Sequence, residues 1–222
     1  MSGYYSQRPS FWSMMTPVVR NLIIINAIVL IFTELIGDSM YQYFALFPFE
    51  SPLFRPYQII THMFMHGGIW HLFFNMYTLL IFGTILERIW GSKKFLLFYF
   101  VTGLGAALCH NLVLHIEISS FTAAGETLRA INEMRTPTVG ASGAIYGVLL
   151  GYGMLFPNNV LQLIFPPVAL KAKWFVIIFA AIELLTGITG LGGGIAHFAH
   201  LGGMLFGLIL IILWKRKNKL YS

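Results

Sequence analysis

Charge is what this 222-residue chain has least of: Asp, Glu, Lys and Arg together make 10% of it. A soluble domain carries about 25%. So little charge cannot cover a water-exposed surface, and it excludes a disordered chain and a coiled coil as well. Cysteine is nearly absent too. Cys109 stands alone in an apolar stretch, which excludes an internal disulfide framework and a multi-cysteine metal site. No internal repeat and no soluble domain is visible. What is abundant is apolar: 57% hydrophobic residues and a mean hydropathy of +0.76. The composition is that of a polytopic all-α membrane protein. The net charge of +6 does not indicate nucleic acid, because the basic residues fall in short clusters between apolar runs.

Six candidate spans emerge, at about 21–36, 58–86, 95–115, 141–156, 174–190 and 196–214. The expected organisation is a short N-terminal segment over 1–20, a six-span domain over 21–214 and a basic tail over 215–222. The first run lacks a small-residue cleavage site and reads as an uncleaved span. With the N-terminus cytoplasmic, eleven basic residues lie inside: Arg8, Arg20, Arg88, Lys93, Lys94, Lys171, Lys173, Lys215, Arg216, Lys217 and Lys219. Three lie outside, Arg55, Arg129 and Arg135, with Asp38, Glu50, Glu117, Glu126 and Glu133. That asymmetry predicts both termini in the cytoplasm, in a plasma or inner membrane. Residues 37–57, aromatic and with three prolines, are expected along the outer interface. Residues 157–173, with Pro157, Pro166 and Pro167, are expected along the inner one.

The fourth span is short. About 15 residues rise roughly 22 Å, against a hydrocarbon core of about 30 Å. Ser142 then starts a helix roughly 8 Å inside the outer boundary. The backbone before it is non-helical at membrane depth, which requires burial in protein or a water-filled cavity.

Polar residues inside spans are costly and mark function by default. Here they are His62, His66, His71 and Asn75 on the second span, Ser142 on the fourth, and His197 and His200 on the sixth. His71 and Asn75, at i and i+4, share a face. A lone serine or histidine in a span most often only bonds a neighbouring helix. Together they supply a nucleophile, a base and oxyanion donors. Gly143, Gly147 and Gly151, with Gly203 and Gly207, repeat at four-residue spacing. Close approach of those two faces would bring Ser142 to His200. Tyr146, four residues after Ser142, could support the imidazole by stacking.

These residues resemble the motifs of the rhomboid intramembrane serine proteases. Gly140-Ala141-Ser142-Gly143 matches G-x-S-G, with Tyr146 at the family's tyrosine position. His71-Leu72-Phe73-Phe74-Asn75 matches H-x-x-x-N, with His62 and His66 in the expected places. Ala199 to Gly207 matches A-H-x-x-G-x-x-x-G, and Leu86-Glu87-Arg88 with Gly91 resembles the turn after the second span. The resemblance covers about residues 20–214. It implies a six-helix bundle in which Ser142 is the nucleophile and His200 the general base, a dyad without an obligatory aspartate. His71, Asn75 and the Ser142 backbone N–H would stabilise the oxyanion, with Tyr146, Gly140, Gly143 and Gly203 in support. His197 is the nearest competitor for the base, but the following glycines are in register with His200.

The implied activity is cleavage of transmembrane segments of other membrane proteins near the outer face. Partners are then membrane-protein substrates and the lipid bilayer, with no nucleic acid, cofactor or metal. One departure is visible. Many relatives carry Trp-Arg before the second span, where this chain has Tyr57-Gln58 with Arg55 nearby, which puts the anchoring of the first outer loop in doubt.

The fifth span, with Trp174, Phe175 and Phe179, leads into Gly187, Gly190, Gly192, Gly193 and Gly194. It is expected either to gate substrate entry or simply to face lipid. Glu183 in this span is assigned no role. Other readings of the chain are a catalytically silent relative, a transporter using intramembrane His and Asn, and a metal enzyme built on His62 and His66. The transporter reading lacks inverted repeats, and the metal reading lacks an H-E-x-x-H pattern.

Overall fold

The computed structural model describes residues 15–163, 167–190 and 196–220. The chain folds as an all-α bundle. Helix α1 (Pro17–Ile36) begins with proline, whose fixed φ and missing N–H suit a first turn. A short helix α2 (Asp38–Phe44) and a looped segment follow, then α3 (Gln58–Thr61) and a single 3-10 turn (His62–Phe64). Helices α4 (Ile69–Thr78) and α5 (Thr84–Trp90) are joined through a π-helical turn (Leu79–Gly83) into one 22-residue span. Then come α6 (Ser92–Ala123), α7 (Thr127–Arg135) and α8 (Ser142–Leu155). Strands β1 (Val160–Gln162) and β2 (Ala169–Lys171) pair antiparallel, Val160 opposite Lys171, before α9 (Ala172–Thr189) and α10 (His197–Arg216).

Among the described residues five helices are long and apolar enough to cross a membrane, and α8 is a shorter apolar sixth. Several boundaries differ from the hydropathy reading. The second span starts at Ile69, not near 58, so His62 and His66 precede it. Gly68, at φ +135°, breaks the helix there. The third span is longer than its apolar run because α6 continues to Ala123 through polar residues. Within residues 157–173, Val160–Gln162 and Ala169–Lys171 pair as the β1–β2 ribbon, and Pro166 lies outside the described residues.

Burial ranks the helices. Nine of the 14 residues of α8 are buried, but only five of the 20 in α1. The short helix is therefore central and α1 peripheral. The isoleucines of α1, such as Ile24, Ile28 and Ile31, face outward, as suits a lipid-facing surface. Phe95, Phe98 and Tyr99 of α6 fill the core together with Leu79, Leu86, Val148 and Ile211.

Glycine sets the distance between α8 and α10. A Cβ on Gly203 would lie 1.9 Å from the Gly143 carbonyl oxygen. One on Gly207 would lie 3.5 Å from the Gly147 Cα. Gly151 does not join this seam; it faces Leu86, Phe98 and Trp90.

The segment between α1 and α3 is tied down by one side chain. Gln58 is fully buried. Its Nε2 donates to the carbonyls of Tyr43 and Leu53, both at 3.2 Å, and its Oε1 accepts from the Arg55 N–H at 3.0 Å. One glutamine thus holds three points of the loop, at the place where the Trp-Arg pair is missing.

Candidate active site

Ser142 is the first residue of α8. The chain reaches it as an extended segment. Thr138 and Leu46 exchange backbone bonds at 2.8 and 2.9 Å, and the Gly140 N–H donates to the His62 carbonyl at 3.0 Å. His110 Nε2 meets the Thr138 hydroxyl at 2.8 Å. Non-helical backbone at depth needs such partners, since lipid supplies none. His62 therefore contributes its carbonyl, while its ring bonds the Gln58 carbonyl at 2.8 Å.

The glycine seam brings Ser142 and His200 together across α8 and α10. Ser142 Oγ is 2.9 Å from His200 Nε2. Tyr146, one turn along from Ser142, stacks on the His200 ring at 4.1 Å and 5°. That face-to-face contact restrains the imidazole plane.

His71 approaches from α4. Its Nδ1 accepts the Gly67 N–H at 3.3 Å, which leaves the ring proton on Nε2. Gly140, at φ +129°, shows where Nε2 points. The spot a Cβ would take there lies 3.0 Å from His71 Nε2 and 3.5 Å from Ser142 Oγ. Any side chain at Gly140 would both strain the backbone and fill the space between these groups. Asn75, buried one turn further along α4, donates from Nδ2 to the His71 carbonyl at 3.1 Å. An amide nitrogen carries two N–H groups, so a second donor remains. The first N–H groups of α8 add further donors, as at any helix start. A small cavity beside Ser142 is lined by His62, Thr138, Gly140, Gly143, Ala196 and Ala199, and it is large enough for water.

Other polar residues take different places. His66 is fully buried. It meets the His71 ring edge-on at 5.0 Å, and neither of its nitrogens has a hydrogen-bond partner among the described residues. It shares no metal-ligand cluster with His62 among the described residues. His197 turns its Nδ1 to Glu183 Oε2 at 2.6 Å and to the Thr186 hydroxyl at 3.1 Å.

Glu183, which the sequence leaves without a role, is the residue that motif reasoning misses. It also bonds Tyr146 and lies 3.0 Å from His200 Nδ1. Only its isolation in an apolar helix signals it. Among the described His, Cys, Asp and Glu side chains, Glu183, His197 and His200 are also the one group of three whose ligand atoms lie within 4.8 Å of one another, a spacing that could hold a cation. Of the fifth-span aromatics, Phe175 packs with Leu149 and Met204 in the interior, whereas Trp174 is exposed. Gly192, Gly193 and Gly194 lie outside the described residues.

A rhomboid domain model matches residues 54–217. The chain belongs to the rhomboid family. Among its relatives, the Rhomboid protease AarA of Providencia stuartii is 31% identical over 68% of this chain and 53% of its own length. The RHOMBOID-like protein 12, mitochondrial, of Arabidopsis thaliana is 30% identical over 91% of this chain and 59% of its own. The rat presenilin-associated rhomboid-like protein, mitochondrial, is 29% identical over 91% and 51%. The chain thus spans roughly half the length of these curated relatives.

Proposed function

We propose that this rhomboid-family chain is an intramembrane serine endopeptidase. It would cleave transmembrane segments of other membrane proteins near the outer face. The observation that carries this reading is the 2.9 Å contact of Ser142 Oγ with His200 Nε2, set beside an imidazole N–H donor on His71.

In the proposed reaction Ser142 Oγ attacks the scissile carbonyl carbon. Its proton passes to His200 Nε2 as the O–C bond forms. The oxyanion is met by His71 Nε2–H, Asn75 and the Ser142 N–H. His200 then protonates the leaving amine as the C–N bond breaks. Water adds to the acyl-enzyme by the same path in reverse, giving the acid and free Ser142. A substrate helix has its backbone bonds satisfied internally. It must unwind locally to expose the bond, so segments weakened by Gly or Pro are favoured.

The orientation follows from charge. Both ends lie on the side where the basic clusters gather, the cytoplasmic side of a plasma or inner membrane.

The test is cleavage of a single-span substrate in liposomes by wild type and Ser142→Ala. Cutting and fluorophosphonate labelling by wild type alone supports the proposal. A folded wild type that neither cuts nor labels favours a catalytically silent rhomboid-like binding or quality-control protein instead.

A further inference from the structure

Glu183 lies near the middle of α9, in an otherwise apolar run. An acid there is costly unless it is partnered. It is 6% exposed. Three side chains from two other helices converge on its carboxylate. The Tyr146 hydroxyl on α8 donates to Oε1. On α10, His200 Nδ1 lies 3.0 Å from Oε1 and His197 Nδ1 lies 2.6 Å from Oε2.

The two nitrogens of His200 therefore face different groups, the Ser142 hydroxyl at Nε2 and the carboxylate at Nδ1. A neutral imidazole carries one N–H and one lone pair. A carboxylate only accepts, so it draws the N–H to Nδ1 and leaves the lone pair at Nε2 for the serine proton. The reverse tautomer would set a lone pair against the carboxylate and an N–H against the nucleophile. Tyr146 restrains the same ring twice, by stacking on it and by fixing the carboxylate.

We propose that Glu183 is a positioning residue for His200, making the site a Ser142–His200–Glu183 triad. The inference rests on the protease reading above. In the reaction Ser142 gives its proton to His200 Nε2 while Nδ1–H stays on the ring against Glu183. The carboxylate remains ionised throughout and stabilises the imidazolium as it forms. The 3.0 Å approach is off the line of the ring N–H, so Nδ1 counts as unpaired by hydrogen-bond geometry. Such contacts commonly tighten when substrate binds.

Two measurements on the full chain test this. The first is the rate of fluorophosphonate labelling, with kcat and KM for a single-span substrate, in wild type, Glu183→Gln and Glu183→Asp. Glu183→Gln should lower labelling and kcat about 10²-fold with KM unchanged, and Glu183→Asp should recover part of that loss. Equal rates in wild type and folded Glu183→Gln would overturn the proposal. So would loss of wild-type labelling on chelation with restoration by zinc, which would make the carboxylate a metal ligand. The second is the nitrogen-15 NMR signature of histidine in wild type, which needs no variant to fold. An Nδ1–H tautomer at His200 is expected, and an Nε2–H tautomer overturns the proposal. If folded wild type does not label at all, the protease reading falls and the triad with it.

Discussion

Two buried glutamates sit at different places in the bundle and meet different kinds of partner. Glu87, in α5, is 2% exposed. Its oxygens accept from the Val18 N–H at 3.0 Å, the Val19 N–H at 2.9 Å and the Ser92 hydroxyl at 2.6 Å. Two of those donors are free N–H groups at the start of α1, where a negative charge is also favoured by the helix dipole. Glu87 therefore fastens the peripheral first helix to the bundle. Glu183 is nearly as buried, yet apart from its own helix its partners are side chains: a phenol and two imidazoles. Backbone donors are fixed once a helix forms, so a carboxylate facing them contributes to stability. Imidazole donors can move their proton, so a carboxylate facing them is placed to act on chemistry, the role proposed for Glu183. The partner, rather than the acid, decides the role.

The sharpest contrast comes from the donors on the catalytic side. His71→Ala and Asn75→Ala should each lower turnover about 10²–10³-fold, about 2.7–4 kcal/mol, without abolishing it. Thermal unfolding should barely move. Full wild-type turnover in both would remove the oxyanion assignment.

Glu87→Ala should do the reverse. It strips the acceptor from two backbone N–H groups and a hydroxyl, for a loss of about 3 kcal/mol of stability. Melting in detergent reads that loss. The folded fraction should still label with fluorophosphonate at the wild-type rate. A slowed rate would mean that Glu87 also acts on the site.

Gly203→Ala tests whether the two ends are linked through the helix seam. Its Cβ would collide with the Gly143 carbonyl, and overpacking of this kind costs about 1–3 kcal/mol. Because α8 and α10 must separate, labelling and melting temperature should fall together. A change in one alone would argue that the seam does not set the Ser142–His200 distance.

At Gln58 the effect is expected to stay local. Gln58→Ala removes three bonds to the segment before α3, at about 1 kcal/mol each. Protease sensitivity of residues 45–57 should rise while labelling stays unchanged. A large labelling loss would extend the site into that loop.

The candidate site was mostly legible because its members announce themselves locally. Ser142 stands between glycines, His71 and Asn75 are one turn apart, and His200 precedes the glycine pair that meets α8. Glu183 was illegible for the opposite reason. Its partners are 14, 17 and 37 positions away, and no spacing rule joins them. The start of the second span was misplaced because residues 58–68 are apolar enough to read as membrane. Hydropathy records burial from water and not helicity, and here the burial is inside protein.

By itself the sequence determined that this is a membrane protein built of apolar helices, since 10% charge leaves no other solvent for it. It also put forward Ser142, His71, Asn75 and His200 as candidates for the site, through spacings within single helices and the resemblance they carry. Only the tertiary structure decided that α8 is central, that Gln58 anchors the segment between α1 and α3, and that Glu183 faces His200. Those are contacts between helices. They depend on which faces pack and how closely, and the glycine seam sets that distance in three dimensions.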